Sequence, residues 1–515
     1  MKITGLGHAS AYVETARGSV LCDPWVNPAY FGSWFPFPDN SHLDWELYGR
    51  ADYLYISHLH RDHFDPVHLR RFISSKATVL LPDYPTDELH DALYELGFRH
   101  FVKTRNGEVT EIDGLAVMIE ALISPTDGPI GDSSIWLHDG TFTLLNQNDA
   151  RPTNLGQIAE LGPVDAHLLQ YSGAIWYPMV YDLPERAKKA FGAQKRARQF
   201  DRTIRYIDDL KANYVYPIAG PPCFLDDELW HLNDIFNDEG NIFPDQKVFE
   251  QFMLDKGYEN CRTLIPGATS NLAVPGAPVE HPISEEETAR IFREKETYLH
   301  DYRQRKQRQL DEEKARWSHD AIDIYSEIKP WFEEILAESD IIAGGVGGPV
   351  RFTAFADDEE QDVDLVIDFP NREVREYENE RCRYQFRAPR VLVEHLVYIR
   401  EIDWVNSLFL SCRFSASRVG QYNEYVYVFF KCLSVERMQY AEGWFAEQSP
   451  DDEDITLDEW VVQRRCPHLK ADLSKFGQVD DGVLTCQMHG WKFDLETGKC
   501  LTSTGFTVRS ARQTQ

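Results

Sequence analysis

Short apolar runs, alternating or continuous, dominate the first 150 positions of the chain. Ile3-Thr4-Gly5-Leu6, Ala11-Tyr12-Val13-Glu14, Val20-Leu21-Cys22-Asp23 and Tyr53-Leu54-Tyr55-Ile56-Ser57 each have strand length and are separated by turn residues. Val79-Leu80-Leu81-Pro82 adds another strand, and a helix is expected from about 86 to 98. Strands are expected again over 116–123, 134–138 and 141–146, with Asp139-Gly140 as a hairpin signal between the last two. Residues 1–275 therefore read as a layered α/β domain.

Ser284 and Glu287 form a capping-box pair that opens a densely charged helix running towards Trp317, so 276–340 reads as a helical connector. Gly344-Gly345-Val346-Gly347-Gly348 reads as a flexible connector rather than a phosphate loop. Beyond it the pattern returns to strands over 350–356, 363–369 and 382–388, followed by a helix, a segment bearing Trp404 and a last strand over 425–430. This gives an α+β unit over 341–447. An acidic stretch, Glu447-Gln448-Ser449-Pro450-Asp451-Asp452-Glu453-Asp454, reads as a linker to a small β module over 455–515.

Composition narrows the partners. Asp and Glu outnumber Lys and Arg by 84 to 53, a formal charge of −31, which argues against nucleic acid because phosphate binding needs a basic footprint. No run has the length of a membrane-spanning helix and the first residues lack the apolar core of a signal peptide. Nine scattered cysteines do not make a disulfide framework, so a reducing cytoplasm is the expected location.

Two stretches carry chemistry. Cys466-Pro467-His468 is followed after 17 residues by Cys486-Gln487-Met488-His489. One Cys and one His from each of two loops is the ligand set of a Rieske [2Fe–2S] centre, in which two thiolates hold one iron and two imidazoles the other. Zinc is the competing reading, although zinc fingers group like ligands together. The second stretch is His58-Leu59-His60-Arg61-Asp62-His63 at the end of a strand, which places three imidazoles and a carboxylate around one point.

The first stretch resembles the Rieske domains of oxygenases and their ferredoxins; Ala471 and Met488 stand about where respiratory Rieske proteins add disulfide cysteines. The second resembles the metallo-β-lactamase superfamily, whose opening strands Leu6-Gly7-His8-Ala9-Ser10 and Asp23-Pro24-Trp25 also match. That resemblance implies His58 and His60 on one metal, Asp62 and His63 on a second, and Asp149 as the bridging carboxylate. A histidine expected before Asp149 is replaced by Asp127, or by Asp132 as second choice. After Tyr214-Val215-Tyr216-Pro217-Ile218, where a last histidine is expected, come Ala219-Gly220-Pro221-Pro222-Cys223, with Asp226, Asp227 and His231 further on. Carboxylate enrichment favours iron over zinc.

Both modules occur together in the family of CMP-N-acetylneuraminate hydroxylase, which Asn148-Asp149-Ala150-Arg151-Pro152 and Pro217-Ile218-Ala219-Gly220 also resemble, though there the Rieske module comes first. Residues 341–447 resemble sterol-carrier-like α+β domains. The expected architecture is a metallo-β-lactamase-like αββα sandwich, a middle α+β domain and a C-terminal all-β Rieske domain. The expected function is a Rieske-type non-haem iron oxygenase. A reductase or ferredoxin would reduce the cluster, and one or two irons held by His58, His60, Asp62, His63, Asp127 and Asp149 would activate O2 on a small organic substrate. The alternative is a metal-dependent hydrolase with an accessory cluster. The distance in sequence between the two sites suggests a homo-oligomer. Tyr171, Tyr177 and Tyr181 are candidates for facing the metal. Trp25, Trp34 and Trp176 are candidates for a pocket, with core packing the plainer reading.

Overall fold

The computed structural model describes residues 1–123, 131–152, 155–173, 175–319, 322–356, 361–448, 453–467, 471–487, 490–502 and 506–513. The N-terminal strands alternate between two cores. In Tyr53–Tyr55, Tyr53 and Tyr55 face one apolar cluster and Leu54 faces another; in Thr78–Leu81, Leu80 faces the first cluster and Val79 and Leu81 the second. Strands buried on both faces need a layer on each side, and both layers are present. Lys2–Gly7, Ser10–Thr15, Gly18–Cys22, Tyr53–Tyr55, Thr78–Leu81 and Phe101–Lys103 belong to an eight-stranded sheet, extended at its edge by Thr269–Asn271 and Val279–Glu280. Val109–Ile112, Leu115–Ala121, Ser133–His138, Thr143–Asn148, Ala166–Gln170 and Tyr214–Ile218 form a six-stranded sheet.

The sheets face each other across Ile3, Val13, Val20 and Tyr55 on one side and Val117, Ile119, Leu144 and Leu168 on the other. Helices Pro66–Phe72 and Glu88–Glu95 cover the outer face of the first sheet through Leu69, Leu89 and Leu93. Glu185–Leu210 and Gln246–Asp255 cover the second through Phe200, Ile207, Phe249 and Met253. The layering is αββα. The 26-residue helix Glu185–Leu210 has no counterpart in the sequence reading, because its charged residues mask a narrow apolar stripe.

The capping box of Ser284 and Glu287 is formed, but the charged helix is two helices, Glu285–Arg293 and Lys295–Ala315, broken at Glu294. The middle domain is a five-stranded sheet ordered Glu373–Glu376, Val363–Asp368, Pro349–Phe355, Tyr384–Pro389, Ser415–Arg418, packed around Phe332, Phe352, Phe386, Trp404 and Phe430. Two expectations fail here. The run expected as a strand over 425–430 is the helix Glu424–Lys431, capped by Asn423, whose side chain accepts from the Tyr425 N–H. Residues 426–431 are all buried, and such a continuous apolar run has no period to separate helix from strand. Gly344 and Gly345 lie within the helix Asp340–Val346, and a Cβ at Gly345 would stand 2.4 Å from the Tyr425 ring, so this glycine is a packing device and not a flexible connector.

The C-terminal module has two three-stranded sheets, Asp454–Leu457, Trp460–Gln463 and Ser510–Arg512, and Gly477–Asp480, Val483–Cys486 and Trp491–Asp494. No helix among the described residues is long and apolar enough to cross a membrane.

Arg413 clamps the middle domain to the sandwich. Its buried guanidinium reaches Asp226 at 2.6 Å and Glu228 at 2.8 Å and donates to the Phe31 carbonyl at 3.1 Å. Arg413→Ala leaves the buried Asp226 with Lys314 as its remaining cation and is expected to destabilise the protein by about 3 kcal/mol, read as a lower melting temperature. An unchanged melting temperature would contradict this clamp.

Candidate metal centre

Each candidate ligand stands where a strand of the sandwich ends. His8 lies in the turn between Lys2–Gly7 and Ser10–Thr15, and the His58–His63 segment follows Tyr53–Tyr55. Asp132 immediately precedes Ser133–His138, and Asp149 immediately follows Thr143–Asn148. Strand ends converge at one edge of a sandwich, and that convergence gathers residues 140 positions apart. The backbone there is strained: His8, Asp23, Tyr30, Asn148 and Ala219 all have φ between 36° and 52°. Non-glycine residues in this region cost of order 1 kcal/mol each and persist where the surroundings over-determine them.

The ligand atoms fall into three overlapping groups: His58, His60 and Asp132; His8, Asp62 and His63; and His58, His63 and Asp149. Within each group they lie within 4.8 Å of one another. His58 Nε2 is 3.5 Å from Asp132, His63 Nε2 is 3.5 Å from Asp149 and 3.7 Å from Asp62, and His8 Nε2 is 2.9 Å from Asp62. Asp149 thus sits with imidazoles of both the other groups. Asp127 lies outside the described residues. Asp226 and Asp227 do not reach the cluster, being engaged by Arg413 and Lys314 and by Arg303. Ala219 and Gly220 line the cavity where a last histidine was expected, and the Ala219 N–H holds the carbonyl of His8 at 3.1 Å. His231 lies outside every one of these groups.

Hydrogen bonds fix which nitrogen of each key imidazole is free. His63 Nδ1 lies 2.9 Å from Asp23 Oδ2, and an ionised carboxylate only accepts, so Nδ1 carries the proton. Ser57 Oγ donates to Asp23 at 2.7 Å and is left to accept from His58 Nδ1 at 2.9 Å. Both rings therefore present a lone pair at Nε2, and both Nε2 atoms are buried with no hydrogen-bond partner among the described residues. Buried polar atoms are rarely left unsatisfied. Two such lone pairs, ringed by carboxylates, fit a bound cation, and the mixed His and Asp donor set fits iron or zinc.

Electrostatics divide the two rings. Burial opposes protonation of His63, but Asp62, Asp149 and Asp23 raise it well above the usual histidine range, so without a cation in the cluster this ring takes up the positive charge itself. Burial, and then the His63 and His60 rings, hold His58 well below the usual histidine range, which keeps it neutral. Burial opposes ionisation of Asp62, but His63, His8 and His60 hold it far below the ordinary carboxylate value. Burial likewise opposes Asp149, and His63 pulls it down. Tyr30, which the sequence reading missed, donates to Asp62 Oδ1 at 2.5 Å; burial and then Asp62 push its hydroxyl well above 10. Nothing in its loop sequence marks it. Gln170 donates to Asp149 at 2.7 Å.

A cavity of about 120 Å3 opens onto the cluster, with Trp34 and Trp176 in its wall and Val405, Asn406 and Lys431 of the middle domain closing it. Trp25 lies behind, edge-on to His8 at 5.0 Å. The tyrosine candidates point elsewhere: Tyr171 bonds the Pro244 carbonyl, Tyr181 bonds Tyr427, and Tyr177 packs edge-on against Tyr181. In the C-terminal module Cys466 and Cys486 are buried among Trp460, Leu484 and Phe493, while His468 and His489 lie outside the described residues. The six other cysteines outside this module are buried, and Cys500 is half-buried.

A family model of the Rieske [2Fe-2S] domain matches residues 450–508, and one for an Rv3818-like, SCP2-like domain matches 324–447. The chain thus carries a C-terminal Rieske [2Fe-2S] domain and an SCP2-like domain behind the N-terminal αββα sandwich. It is 51% identical over 520 residues, 99% of both chains, to a Rieske 2Fe-2S iron-sulfur protein of Mycolicibacterium smegmatis, and it belongs to that family. Cytidine monophosphate-N-acetylneuraminic acid hydroxylase of Xenopus laevis is 25% identical over 289 residues, 53% of this chain and 46% of that one. Among solved structures, CmlA, a diiron β-hydroxylase from Streptomyces venezuelae, matches with TM-score 0.33 and 19% identity over 52% of this chain and 53% of its own. The metallo-β-lactamase fold protein YhfI from Bacillus subtilis matches with TM-score 0.32 and 11% identity over 52% and 98%.

Asp23→Asn weakens the brace on His63 without touching a candidate ligand. Metal retention against a chelator is expected to fall by roughly 10- to 100-fold. Equal retention in the two proteins would contradict the role given to Asp23.

Proposed function

We propose that the protein is a Rieske-dependent oxygenase. Cys466, His468, Cys486 and His489 would hold the cluster, which would supply electrons taken from an external reductase or ferredoxin, and His58, His60, Asp62, His63, Asp132 and Asp149 would hold iron. The observation that carries this reading is the pair of buried imidazole Nε2 atoms that have no hydrogen-bond partner among the described residues and stand among carboxylates, in a chain that also contains a Rieske domain. The partial similarity to a hydroxylase supports it. Asp132, three carboxylates in all, makes the donor set richer in oxygen than a His-dominated zinc site.

Bound in this cluster, iron would supply activation of O2. The overall balance is one O2, two electrons and two protons per hydroxylated or N-oxygenated product, with one water released. The residues of the chain do the rest. Asp23 and Ser57 set the tautomers of His63 and His58, and Gln170 orients Asp149. Tyr30 keeps its hydroxyl proton and donates it in a hydrogen bond to Asp62 Oδ1, beside the cavity. Trp34, Trp176 and the middle-domain residues Val405 and Leu410 exclude bulk water from the place where a small organic substrate would lie.

Metal analysis of the purified protein, combined with electron paramagnetic resonance after reduction, tests the reading. The expected result is a Rieske signal with iron in excess of the cluster's own two ions. His58→Ala should lose the excess iron and keep the signal. Zinc in the N-terminal cluster, or no Rieske signal, would overturn the proposal, the former in favour of a hydrolase.

A further inference from the structure

One wall of the metal cavity carries charge of the opposite sign to the cluster. Arg151 lines the cavity two residues beyond Asp149. Lys195 and Arg202 lie seven positions apart on the helix Glu185–Leu210, two turns apart on one face. That face packs on the Arg151 segment: Gln199, between the two, meets the Arg151 guanidinium beside Gly173, and Tyr206 donates to the Pro152 carbonyl at 2.9 Å. Among the described residues none of the three forms an ion pair. Arg151 donates to Gln170 Oε1 at 3.1 Å, and Lys195 Nζ donates to the Tyr177 carbonyl at 2.8 Å. Arg202 makes no hydrogen bond to any described residue. Such a gathering of unpaired cations is unexpected in a chain with a net charge of −31.

The crowding has a cost. Burial, then Arg151, pushes Lys195 well below the ordinary lysine value, and the same two causes push Arg202 down to about 10. The carboxylate that Arg202 feels is Asp149, which is turned towards His63 and Gln170. Gln170 links the two halves of the site: it accepts from Arg151 and donates to Asp149, so the guanidinium is held one side chain away from the metal cluster. Buried or crowded like charges are stable when a counter-ion completes them. The cavity that Arg151 lines also has apolar walls, from Trp34, Ile175, Trp176, Val405 and Leu410.

We propose that Arg151, Lys195 and Arg202 form an anion subsite beside the metal cluster, which holds the carboxylate or phosphate group of a small organic ligand whose apolar body lies against Trp34 and Trp176. That the ligand is the molecule oxidised rests on the oxygenase reading; the anion subsite does not. The cations fix one end of the ligand by charge-assisted hydrogen bonds, and the aromatic walls present its body to the ligands of the cluster.

Calorimetric titration of the full-length holoprotein with inorganic phosphate and, separately, with acetate tests the subsite. Saturable binding of at least one anion is expected, weakened tenfold or more in Arg151→Met and in Lys195→Met, and unchanged in Arg198→Met on the exposed side of the same helix. Tighter binding of phosphate assigns the subsite to a phosphoryl group, and tighter binding of acetate to a carboxylate. The anion should also raise the melting temperature of the parent protein and not that of the two variants, which should stay folded because each relieves repulsion. No saturable binding of either anion, or binding that the variants leave unchanged, as for an anion held by the metal alone, would overturn the subsite. None of these readouts uses oxygen consumption, so a failed oxygenase assay leaves them standing.

Discussion

The structure turns on two buried imidazole nitrogens. Nε2 of His58 and Nε2 of His63 are held inside the sandwich edge with no hydrogen-bond partner among the described residues, and buried polar atoms so placed are costly unless a cation satisfies them. Much of the surrounding structure is the means of keeping them there. Asp23 accepts the Nδ1 proton of His63 and, through Ser57, orders His58. Five non-glycine residues with positive φ turn the strand ends so that side chains from both sheets reach one place. The interlocked core between the sheets carries that strain, since well-packed interiors deform little.

The middle domain is part of the site rather than an appendage. Arg413 and Arg437 tie it to the sandwich through a buried ion pair with Asp226 and a part-buried one with Glu88, and this docking brings Val405, Asn406, Leu410 and Lys431 over the candidate metal cavity. A buried ion pair adds little net stability but is expensive to break, which suits an interface that must hold one geometry. The negative charge of the chain also divides by place. Asp62, Asp132 and Asp149 are gathered at the cluster, and Arg151, which forms no ion pair among the described residues, lines the same cavity.

Much of this was legible in the amino-acid sequence, and the reasons for the remainder are physical. The continuous apolar runs in Tyr53–Tyr55 and Thr78–Leu81 mark strands buried on both faces, and a dense H-x-H-x-D-H run is hard to explain as packing. Asp149 is found by its position after a strand. His8 could not be assigned a role, because a single histidine in a turn has no partner in sequence; its partner Asp62 is 54 residues away. Tyr30 and Asp23 act through tertiary hydrogen bonds to candidate ligands, and Arg151, Lys195 and Arg202 come together only when a helix crosses the sheet end. The helix Glu424–Lys431 was misread because burial on every side removes its periodicity.

The central claim is that the cluster and the N-terminal metal centre form one electron path ending on oxygen. The direct measurement is the rate at which the chemically reduced cluster is reoxidised on mixing with O2, followed by its visible absorbance, in the parent protein and in Asp149→Asn with the Rieske signal intact. The account predicts rapid reoxidation in the parent and at least tenfold slower reoxidation in the variant. Equal rates in the two proteins would contradict it.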